Sequence, residues 1–483
     1  MTLAVLLVYL ALVLLVGGLS SRLLRGTGED YFVASRTIGP FLLLMTLFGT
    51  NMTAFALLGA SGEAYRKGIG VFGLMASSSA LVIPAVFFFV GPRVWALGKR
   101  HGFVTLVEFT RQRWSSDRLA LALFVVLTLL LVPYLLIGVL GGGLTLNQIT
   151  GGQVPPWVGS LLVCAVVLAY VCGGGMRGTA WVNGLQTLVF MGLGALTFVL
   201  IIDRLGGLGS AMTLLSERHP ELLARSHMDP LTFWSYSFIP LSAGAFPHLF
   251  AHWLTARSSG AFRLPIVLYP LCIAAVWIPS VLLGLVGRID FPGLAGPAAN
   301  GVLVKLIELH APEVLAGLLG AGVFAAIMSS LDSQVLSIGA MFTRDIVGRG
   351  AQGLDQGRQV VWGRLFVVAV MALTYGLSLV SEASIFKLAI WSFSGFAALF
   401  PLLLAALFWR RSTEAGALGA IASVTVLWFY FFLDGWKVPG YTVGGSGLLP
   451  VVVLCVVSGA VLVLVSLVTQ PPAKAKLDHF FST

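Results

Sequence analysis

The sequence predicts an all-α polytopic membrane protein with about 13 transmembrane helices. Of the 483 residues, 58% are hydrophobic and only 10% are charged, whereas about a quarter of the residues in an ordinary soluble domain carry a charge. The apolar residues form thirteen runs, each long enough to span a hydrocarbon layer of roughly 30 Å. Because lipid offers the backbone no hydrogen-bond partners, runs of this length are expected to be helices.

The thirteen runs cover most of the chain, with short polar segments between them. The first run has no Lys or Arg before it and no clear small-residue cleavage site after it, so we interpret it as a retained span and not as a signal peptide. The runs lie near residues 3–19, 41–60, 71–96, 119–141, 156–173, 184–203, 231–253, 265–287, 313–343, 362–381, 384–409, 413–433 and 447–469.

The charge distribution predicts how the chain is oriented in a plasma (inner) membrane. The formal net charge is +10, but the basic residues lie in short loops between apolar runs, which argues against a nucleic-acid partner. One side of the membrane would hold 20 Lys and Arg residues and the other side 9. The positive-inside rule then predicts an N-terminus outside the cell and a C-terminus in the cytoplasm.

The chain lacks the patterns that would indicate an enzyme. It contains no HExxH motif, no GxSxG motif and no cytoplasmic segment large enough for a catalytic domain. The glycines at residues 173–175 lack the Lys-Ser/Thr of a phosphate-binding loop. The four cysteines show no metal-ligand spacing and imply no disulfide framework. We therefore expect no catalytic residues.

Two apolar runs are interrupted in the middle. In the second run, residues 48–53 place a glycine beside three polar residues, and in the seventh run, residues 240–247 include a glycine and two prolines. Both patterns disfavour a regular helix. The two interrupted runs are five segments apart, and paired interrupted helices are typical of transporters built from two inverted halves. The second to sixth runs and the seventh to eleventh would form these halves.

Polar residues within the ninth run indicate an ion site. Ser329, Ser330 and Asp332 lie inside this long apolar run, where such groups are costly unless they face protein, water or an ion. Uncharged oxygens suit a hard monovalent cation such as sodium. Alternatively, the serines are packing residues whose hydroxyls bond to the preceding turn. Asp332 would equally well pair with an Arg or Lys near the cytoplasmic face.

Five stretches of the chain carry a resemblance to a known family. They are residues 49–53 with 59–65, residues 100–109, residues 174–186, residues 326–333, and Pro247-His248 with the later Arg263. In their order and their positions within the runs, they resemble the sodium:solute symporter family from about residue 30 to residue 410. The resemblance implies a LeuT-type core of five plus five inverted helices with peripheral helices, and sodium-driven uptake of a small organic solute.

On this resemblance the chain divides into five parts and functions within the lipid bilayer. No oligomeric state is indicated, since the family's fold needs only one chain for transport. The parts would be residues 1–40, an N-terminal peripheral helix and a cytoplasmic loop; residues 41–206, the first five-helix repeat; residues 207–409, the second, inverted repeat; residues 410–470, two C-terminal peripheral helices; and residues 471–483, a cytoplasmic tail.

The resemblance also implies a sodium site between the first interrupted helix and the ninth run. Its ligands would be the backbone carbonyls of Gly49, Met52 and Ala326 and the hydroxyls of Ser329 and Ser330. Two departures bear on the ion, since Asn51 and Asn183 stand where many members have Asp. Their neutral side chains weaken the case for a second sodium site and for strong sodium affinity, because a nearby negative charge raises cation binding.

Candidate solute-binding residues surround the two interruptions. They are Asn51, Thr53, Phe55, Ser242 and Gly244. Alternatively, Asn51 and Thr53 only satisfy the backbone at the break, and Phe55 is an ordinary core aromatic. His248 is interpreted as a structural histidine. The chain looks most similar to the family's branches for short monocarboxylates, pantothenate and related acids, while an amino acid stays open and a sugar is less favoured.

The sequence thus predicts a sodium-coupled symporter that imports a small organic solute by alternating access, with the sodium ion as the transported coupling ion. Two alternatives remain open. The first keeps the fold but couples transport to protons or to no ion, as Asn51 and Asn183 suggest. The second is a transporter-like receptor that binds solute without flux, although the tail after Val468 contains no visible signalling module.

Overall fold

The computed structural model describes residues 2–21, 33–224, 228–348, 356–438 and 440–481, and within these ranges the chain is helical with no extended strand. The expected loop of residues 22–32 and the segment of residues 349–355 lie outside the described residues. The α-helices are α1 Thr2–Ser21, α2 Pro40–Asn51, α3 Phe55–Lys67, α4 Phe72–His101, α5 Leu106–Trp114, α6 Asp117–Ile149, α7 Pro156–Cys172, α8 Gly175–Arg204, α9 Leu208–Arg218, α10 Pro230–Ser235, α11 Ser242–Ala245, α12 Pro247–Thr255, α13 Arg263–Asp290, α14 Val302–His310, α15 Glu313–Met341, α16 Gln356–Val380, α17 Ile385–Ala398, α18 Phe400–Phe408, α19 Glu414–Gly435, α20 Pro450–Val468 and α21 Lys474–Phe481.

The helices confirm a polytopic membrane protein. By length and composition, ten helices of the described residues are able to cross a membrane, and the bent pair of α2 and α3 makes eleven. The two remaining predicted runs are occupied by α7, which is apolar but shorter, and by the interrupted segment that contains α10, α11 and α12.

The polar loop expected between α7 and α8 is absent, which corrects the predicted segment boundary at residues 174–183. Helix α8 already begins at Gly175 and includes residues 175–183, and the chain turns between α7 and α8 at Gly175, whose φ of 54° is a conformation that glycine adopts without strain. Arg177, taken as a loop charge, instead donates a hydrogen bond to the carbonyl of Ala34. A basic residue therefore lies on a helix here because its long side chain reaches a backbone acceptor.

The centre of the bundle is α15. Nearly all of its residues between Ala316 and Met341 are buried, and a helix that is apolar all round is expected to be enclosed by other helices. It packs most extensively against α7 and α8, and then against α6, α1 and α2. In contrast, α1 and α16 expose many large apolar side chains, as expected for helices that face lipid. The polar residues of α15 therefore meet protein and not lipid.

A short helix, α5, packs against the end of the bundle at which α4 and α15 end. Arg111 Nη1 lies 2.7 Å from Asp345 Oδ1, and the Thr105 hydroxyl donates to Asp345 Oδ2 at 2.7 Å. On its other side, the Arg113 guanidinium bonds to the carbonyls of residues 406 and 409. The terminal helix α21 packs there too, with Phe480 only 2% exposed. One helix thus joins α15, α18 and the tail.

The buried ion pair at α5 predicts a large stability difference between two aspartate substitutions. The Asp345 side chain is fully buried and its partner Arg111 is 8% exposed. Asp345→Ala leaves the buried guanidinium only its exposed partner Asp117, at 2.9 Å, and should cost about 3 kcal/mol. The matched control is Asp478→Ala, because Asp478 is 70% exposed and lies 3.7 Å from Arg410. Its loss should cost less than about 1 kcal/mol. Equal shifts in the detergent-solubilised melting temperature would contradict this ranking.

Candidate functional site

The first interruption lies where the sequence predicts it. Helix α2 ends at Asn51, α3 begins at Phe55, and the two axes are bent by 59°. Met52 is extended, with φ −89° and ψ 91°, so its carbonyl leaves the helical hydrogen-bond ladder. The Thr53 hydroxyl accepts the amide of Phe55 at 3.0 Å, which satisfies one of the free donors at the start of α3. Thr53 therefore stabilises the break, and its contact with the solute stays a prediction.

The second interruption is confined to one extended residue. Helix α11 ends at Ala245, and Phe246 adopts φ −66° and ψ 118° before Pro247 opens α12. A residue that precedes proline is driven towards extended backbone, and proline fits the first turn of the following helix. A 3₁₀ turn at Tyr236–Leu241 comes before α11. Pro240 lies inside the 3₁₀ turn and Pro247 follows the extended residue. The two prolines thus explain both the distorted turn and the break.

The structure brings three of the five predicted sodium ligands together, namely the Gly49 and Ala326 carbonyls and the Ser329 hydroxyl. The Ser329 hydroxyl donates to the Gly49 carbonyl at 3.0 Å and to the Ala326 carbonyl at 3.1 Å. The Ser330 hydroxyl donates to the Ile327 carbonyl one turn earlier, at 3.0 Å. Ser329 therefore joins two helices that are 280 residues apart in the chain. Both serines make the hydrogen bond to the preceding turn that is expected of a packing serine, and Ser329 adds the bond to Gly49.

The donor set is chemically suited to sodium. All five predicted ligands are buried: Gly49, Met52, Ala326, Ser329 and Ser330. They offer neutral carbonyl and hydroxyl oxygens, and a hydroxyl that now donates a proton can rotate to present a lone pair to a cation. Hard cations prefer such oxygens. Carbonyls near an unwound helix end are a recurring source of sodium ligands in transporters.

Gly49 also sets how closely α8 approaches α2. A Cβ atom at residue 49 would lie 2.0 Å from Thr187 Oγ1 and 3.3 Å from Thr187 Cβ. The Thr187 hydroxyl itself donates to the Met45 carbonyl at 3.0 Å. Because residue 49 has no side chain, α8 packs closely against α2 beside the Gly49 carbonyl.

The solute candidates Asn51, Phe55 and Gly244 occupy different environments. Asn51 Nδ2 donates to the Tyr269 hydroxyl at 2.7 Å, across to α13. The ring of Phe55 packs against three aromatic rings, the nearest at 5.1 Å. A Cβ atom on Gly244 would come within 2.3 Å of the Phe400 ring, so this glycine provides a close contact with α18. Ser242, the fourth candidate, is buried.

An aromatic cluster between the two interruptions was missed by the sequence analysis. Tyr134 of α6 lies with its ring centroid 5.1 Å from Phe246, 5.5 Å from His248 and 4.9 Å from Phe393. Phe246 also packs edge-on against Phe396 at 5.0 Å. These rings come from α6, from α17 and from the second break, and no spacing along the chain links them. The one visible signal is His248, directly after the break.

A polar network around Asp332 lies one turn beyond Ser329 on the same face of α15. The Tyr170 hydroxyl donates to Asp332 Oδ2 at 3.0 Å and the Ser333 hydroxyl to Oδ1 at 3.1 Å. Ser333 also contacts Asn183 Nδ2 at 2.7 Å and His252 Nε2 at 3.0 Å. In the described part of the chain, Asp332 is hydrogen-bonded by the side chains of Tyr170, Ser333 and Asn183 and by no Arg or Lys. The alternative in which Asp332 pairs with an Arg or Lys is therefore wrong.

Comparison with known proteins agrees with this geometry. A family model described as the sodium:solute symporter family matches residues 31–423. The sodium/pantothenate symporter of Escherichia coli is 27% identical over 448 residues, which cover 89% of this chain and 90% of that protein. The sodium/proline symporter of Escherichia coli is 24% identical over 466 residues, covering 91% and 90%.

Solved structures show the fold. A Na⁺-coupled sialic acid symporter, in a substrate-bound outward-open state, matches 98% of this chain with a TM-score of 0.80 at 20% identity and is itself covered to 99%. Mhp1, a nucleobase-cation-symport-1 family transporter, matches 94% of this chain with a TM-score of 0.60 at 12% identity and is covered to 99%. The expected LeuT-type fold is confirmed by these likenesses.

The contact at Gly49 predicts a specific loss and a specific rescue. Gly49→Ala should lower the melting temperature by several degrees, because its Cβ would overlap Thr187 Oγ1. Adding Thr187→Ala removes that oxygen and should restore part of the loss, since the nearest remaining contact is 3.3 Å. The control is Gly192→Ala on α8, where nothing lies within 4 Å. A double variant no more stable than Gly49→Ala would contradict the steric explanation.

Proposed function

Because the chain belongs to the sodium:solute symporter family, whose model matches residues 31–423, we propose that it imports a small organic solute together with sodium by alternating access. Family and fold make it a multi-pass membrane transporter of the plasma membrane and not an enzyme.

The hydrogen bond from the Ser329 hydroxyl to the Gly49 carbonyl carries this proposal. It joins a helix that is broken in mid-membrane to the enclosed helix α15, and both partners are oxygens that sodium can bind. Sodium at this point would replace a single hydrogen bond with ligation by Gly49, Met52, Ala326, Ser329 and Ser330. The ion would then hold α2 and α15 in one fixed arrangement, because all five ligands must contact the ion at the same time.

Sodium binding would stabilise the outward-open state, and the solute would enter between the two interruptions. The first half, residues 41–206, and the inverted half, residues 207–409, would then move relative to each other around the bound pair. A membrane potential contributes about 2.3 kcal/mol per charge per 100 mV, so one inward-moving sodium would support substantial accumulation. Residues 1–40, 410–470 and 471–483 would remain peripheral to this movement.

The solute is proposed to be a monocarboxylate, a pantothenate-like acid or an amino acid. The support is the similarity to a sodium/pantothenate and a sodium/proline symporter. The neutral side chains of Asn51 and Asn183 favour one sodium ion over two. They also favour the alternatives, in which transport is coupled to protons or to no ion. These alternatives predict that sodium does not specifically stabilise the protein. A solute receptor without flux is distinguished by the absence of uptake into proteoliposomes.

The ion proposal predicts sodium-specific stabilisation of the purified protein without any solute. In detergent, the melting temperature should rise with sodium chloride and not with potassium or choline chloride at the same ionic strength. Stabilisation follows RT ln(1 + [Na⁺]/Kd), about 2.7 kcal/mol at a hundredfold excess over Kd. The Ser329→Ala/Ser330→Ala variant should lose most of this rise.

The matched control for the sodium experiment lies on the same helix. Ser337 is 3% exposed and donates to the Gln334 carbonyl at 2.9 Å, so Ser337→Ala removes an equivalent buried hydroxyl two turns away. It should keep the full sodium response. Equal responses to sodium and potassium in the unaltered protein would overturn sodium coupling and direct the search to pH gradients.

The orientation is proposed from the excess of Lys and Arg on one side, 20 against 9. Green fluorescent protein fused after Thr483 should fluoresce, and alkaline phosphatase at the same point should be inactive, because the C-terminus would lie in the cytoplasm. A fusion after Lys437, between α19 and α20, should give the reverse pattern. Active phosphatase after Thr483 would place the chain the other way round.

A further inference from the structure

The terminal helix α21 docks on the end of the bundle that the proposed orientation places in the cytoplasm. One side chain anchors it: Phe480 is 2% exposed, whereas its nearest neighbours on α21 are exposed or half-buried. The Phe480 ring stacks on the His101 imidazole, with centroids 5.5 Å apart and planes 8° apart, and it lies 5.8 Å from the Phe109 ring. Because one buried aromatic residue dominates the contact, the docking of α21 depends on Phe480.

The contacts of α21 divide between two sides of a joint in the bundle. The stacking partners of Phe480 lie at the end of α4 and on α5, which belong to the first half, residues 41–206. Across the joint lies Arg410, which directly follows the second half. Its guanidinium is 5.3 Å from the Phe481 ring, and its Nη1 atom is 3.7 Å from Asp478 Oδ1. Helix α21 therefore spans the joint between the halves.

The joint beneath α21 is made by one buried arginine. Arg113 of α5 donates from Nε to the Ala406 carbonyl at 3.1 Å and from Nη2 to the Trp409 carbonyl at 2.9 Å, so it connects the first half to the end of α18. The rings of Phe480 and Phe481 lie 5.7 Å and 4.9 Å from its guanidinium. Hydrogen bonds are electrostatically stronger where water is excluded. Docked α21 therefore reinforces the joint between the halves.

A short tether keeps α21 close to this joint. Helix α20 ends at Val468 and α21 begins at Lys474, and the residues between them include two prolines at 471–472, which stiffen a linker. The start of the tether is fixed, because Arg411 Nη2 donates to the Thr469 carbonyl at 2.9 Å. A short tether gives its helix a high effective concentration at the docking site. Undocked α21 therefore stays within reach of the joint and can dock again.

Opening of this end of the transporter is incompatible with docked α21. Release of an ion or a solute here requires the two halves to separate at the joint. Helix α21 has eight residues and is therefore about 12 Å long, so it cannot remain in contact with both sides of a widened joint. Its docking energy is thus lost whenever this end opens.

We propose that α21 is a latch: while Phe480 is docked against His101 and α5, this end of the transporter stays closed, and opening requires α21 to undock. The inference rests on the alternating access of the proposed function and adds an element that regulates it. Because coupling between two equilibria is reciprocal, closure of this end should also favour docking of α21. A purely structural brace would show neither effect.

A buried thiol reports opening without any solute or sodium. Ser333 is 2% exposed and lies 2.7 Å from Asn183 of the first half and 3.0 Å from His252 of the second, so Ser333→Cys becomes accessible when the halves separate. Cys164, 4% exposed on α7, is kept as a reference for general unfolding, and the other native cysteines are replaced by alanine. Maleimide labelling of the purified protein is followed at both residues by mass spectrometry, in potassium chloride.

Removing the anchor should open this end. Phe480→Ala should raise the labelling rate at residue 333 about tenfold, because loss of one buried aromatic side chain shifts a docking equilibrium by about that factor, while labelling of Cys164 stays unchanged. Phe480→Leu keeps an apolar anchor and should raise the rate less than threefold. The matched control is Phe89→Ala, because Phe89 is 58% exposed on α4, and it should leave the rate unchanged.

A double variant tests whether the contact itself is responsible. His101→Ala removes the ring on which Phe480 stacks and should also raise labelling at residue 333. The two substitutions combined should add little to Phe480→Ala alone, because both remove the same contact.

The reciprocal effect is measured on α21 itself. The proposed function has sodium stabilise the outward-open state, in which this end is closed. Sodium chloride should therefore slow trypsin cleavage after Lys474 at least threefold relative to potassium chloride, since a docked segment resists proteolysis. The Ser329→Ala/Ser330→Ala variant should lose this difference.

The outcomes distinguish the latch from the function beneath it. Labelling at residue 333 that ignores Phe480→Ala, or that rises together with labelling of Cys164, overturns the latch and leaves sodium coupling intact. Sodium that stabilises the protein but does not protect the bond after Lys474 overturns the latch as well. If sodium gives no specific stabilisation, the proposed function fails, and the labelling in potassium chloride still decides whether α21 holds this end closed.

Discussion

The structure depends on satisfying backbone oxygens that a break exposes in the middle of a membrane. Where α2 stops at Asn51, carbonyls leave the helical ladder, and lipid offers them no hydrogen-bond donor. The Ser329 hydroxyl meets the Gly49 carbonyl from α15, and Thr187 of α8 closes against the same glycine. One local interruption thus requires two further helices at close range. It places neutral oxygens where a cation can replace a hydrogen bond.

Helix α15 groups its polar residues on two faces, with Ser329 and Asp332 on one and Gln334 on the other. Ser329 faces the first break, Asp332 faces Tyr170 with its hydroxyl-lined network, and Gln334 lies beside Tyr134. At the end of the bundle, Asp345 ties the chain beyond α15 to Arg111 of α5. The helix that carries the ion ligands is therefore anchored outside the site as well as within it.

Local sequence features predicted much of the fold because they act over a few residues. The apolar runs required helices, and Gly49 with its polar neighbours and Pro247 marked both breaks. The one failure of this kind was the loop at residues 174–183. There the sequence suggested a loop, but α8 already begins at Gly175, because a basic side chain can reach a backbone acceptor without leaving the helix. The Ser329–Gly49 contact followed from the family resemblance and not from local pattern.

The sequence by itself determined that the chain is a membrane protein with two interrupted helices and hydroxyl groups at mid-depth. Only the tertiary structure decided which distant residues meet. Asn51 finds Tyr269 at a separation of 218 residues, and Asp332 is bound by Tyr170, 162 residues away. The aromatic cluster combines rings from α6, α17 and the second break. Helix packing sets these contacts, and packing depends on the shapes of whole helix faces, which no short stretch of sequence contains.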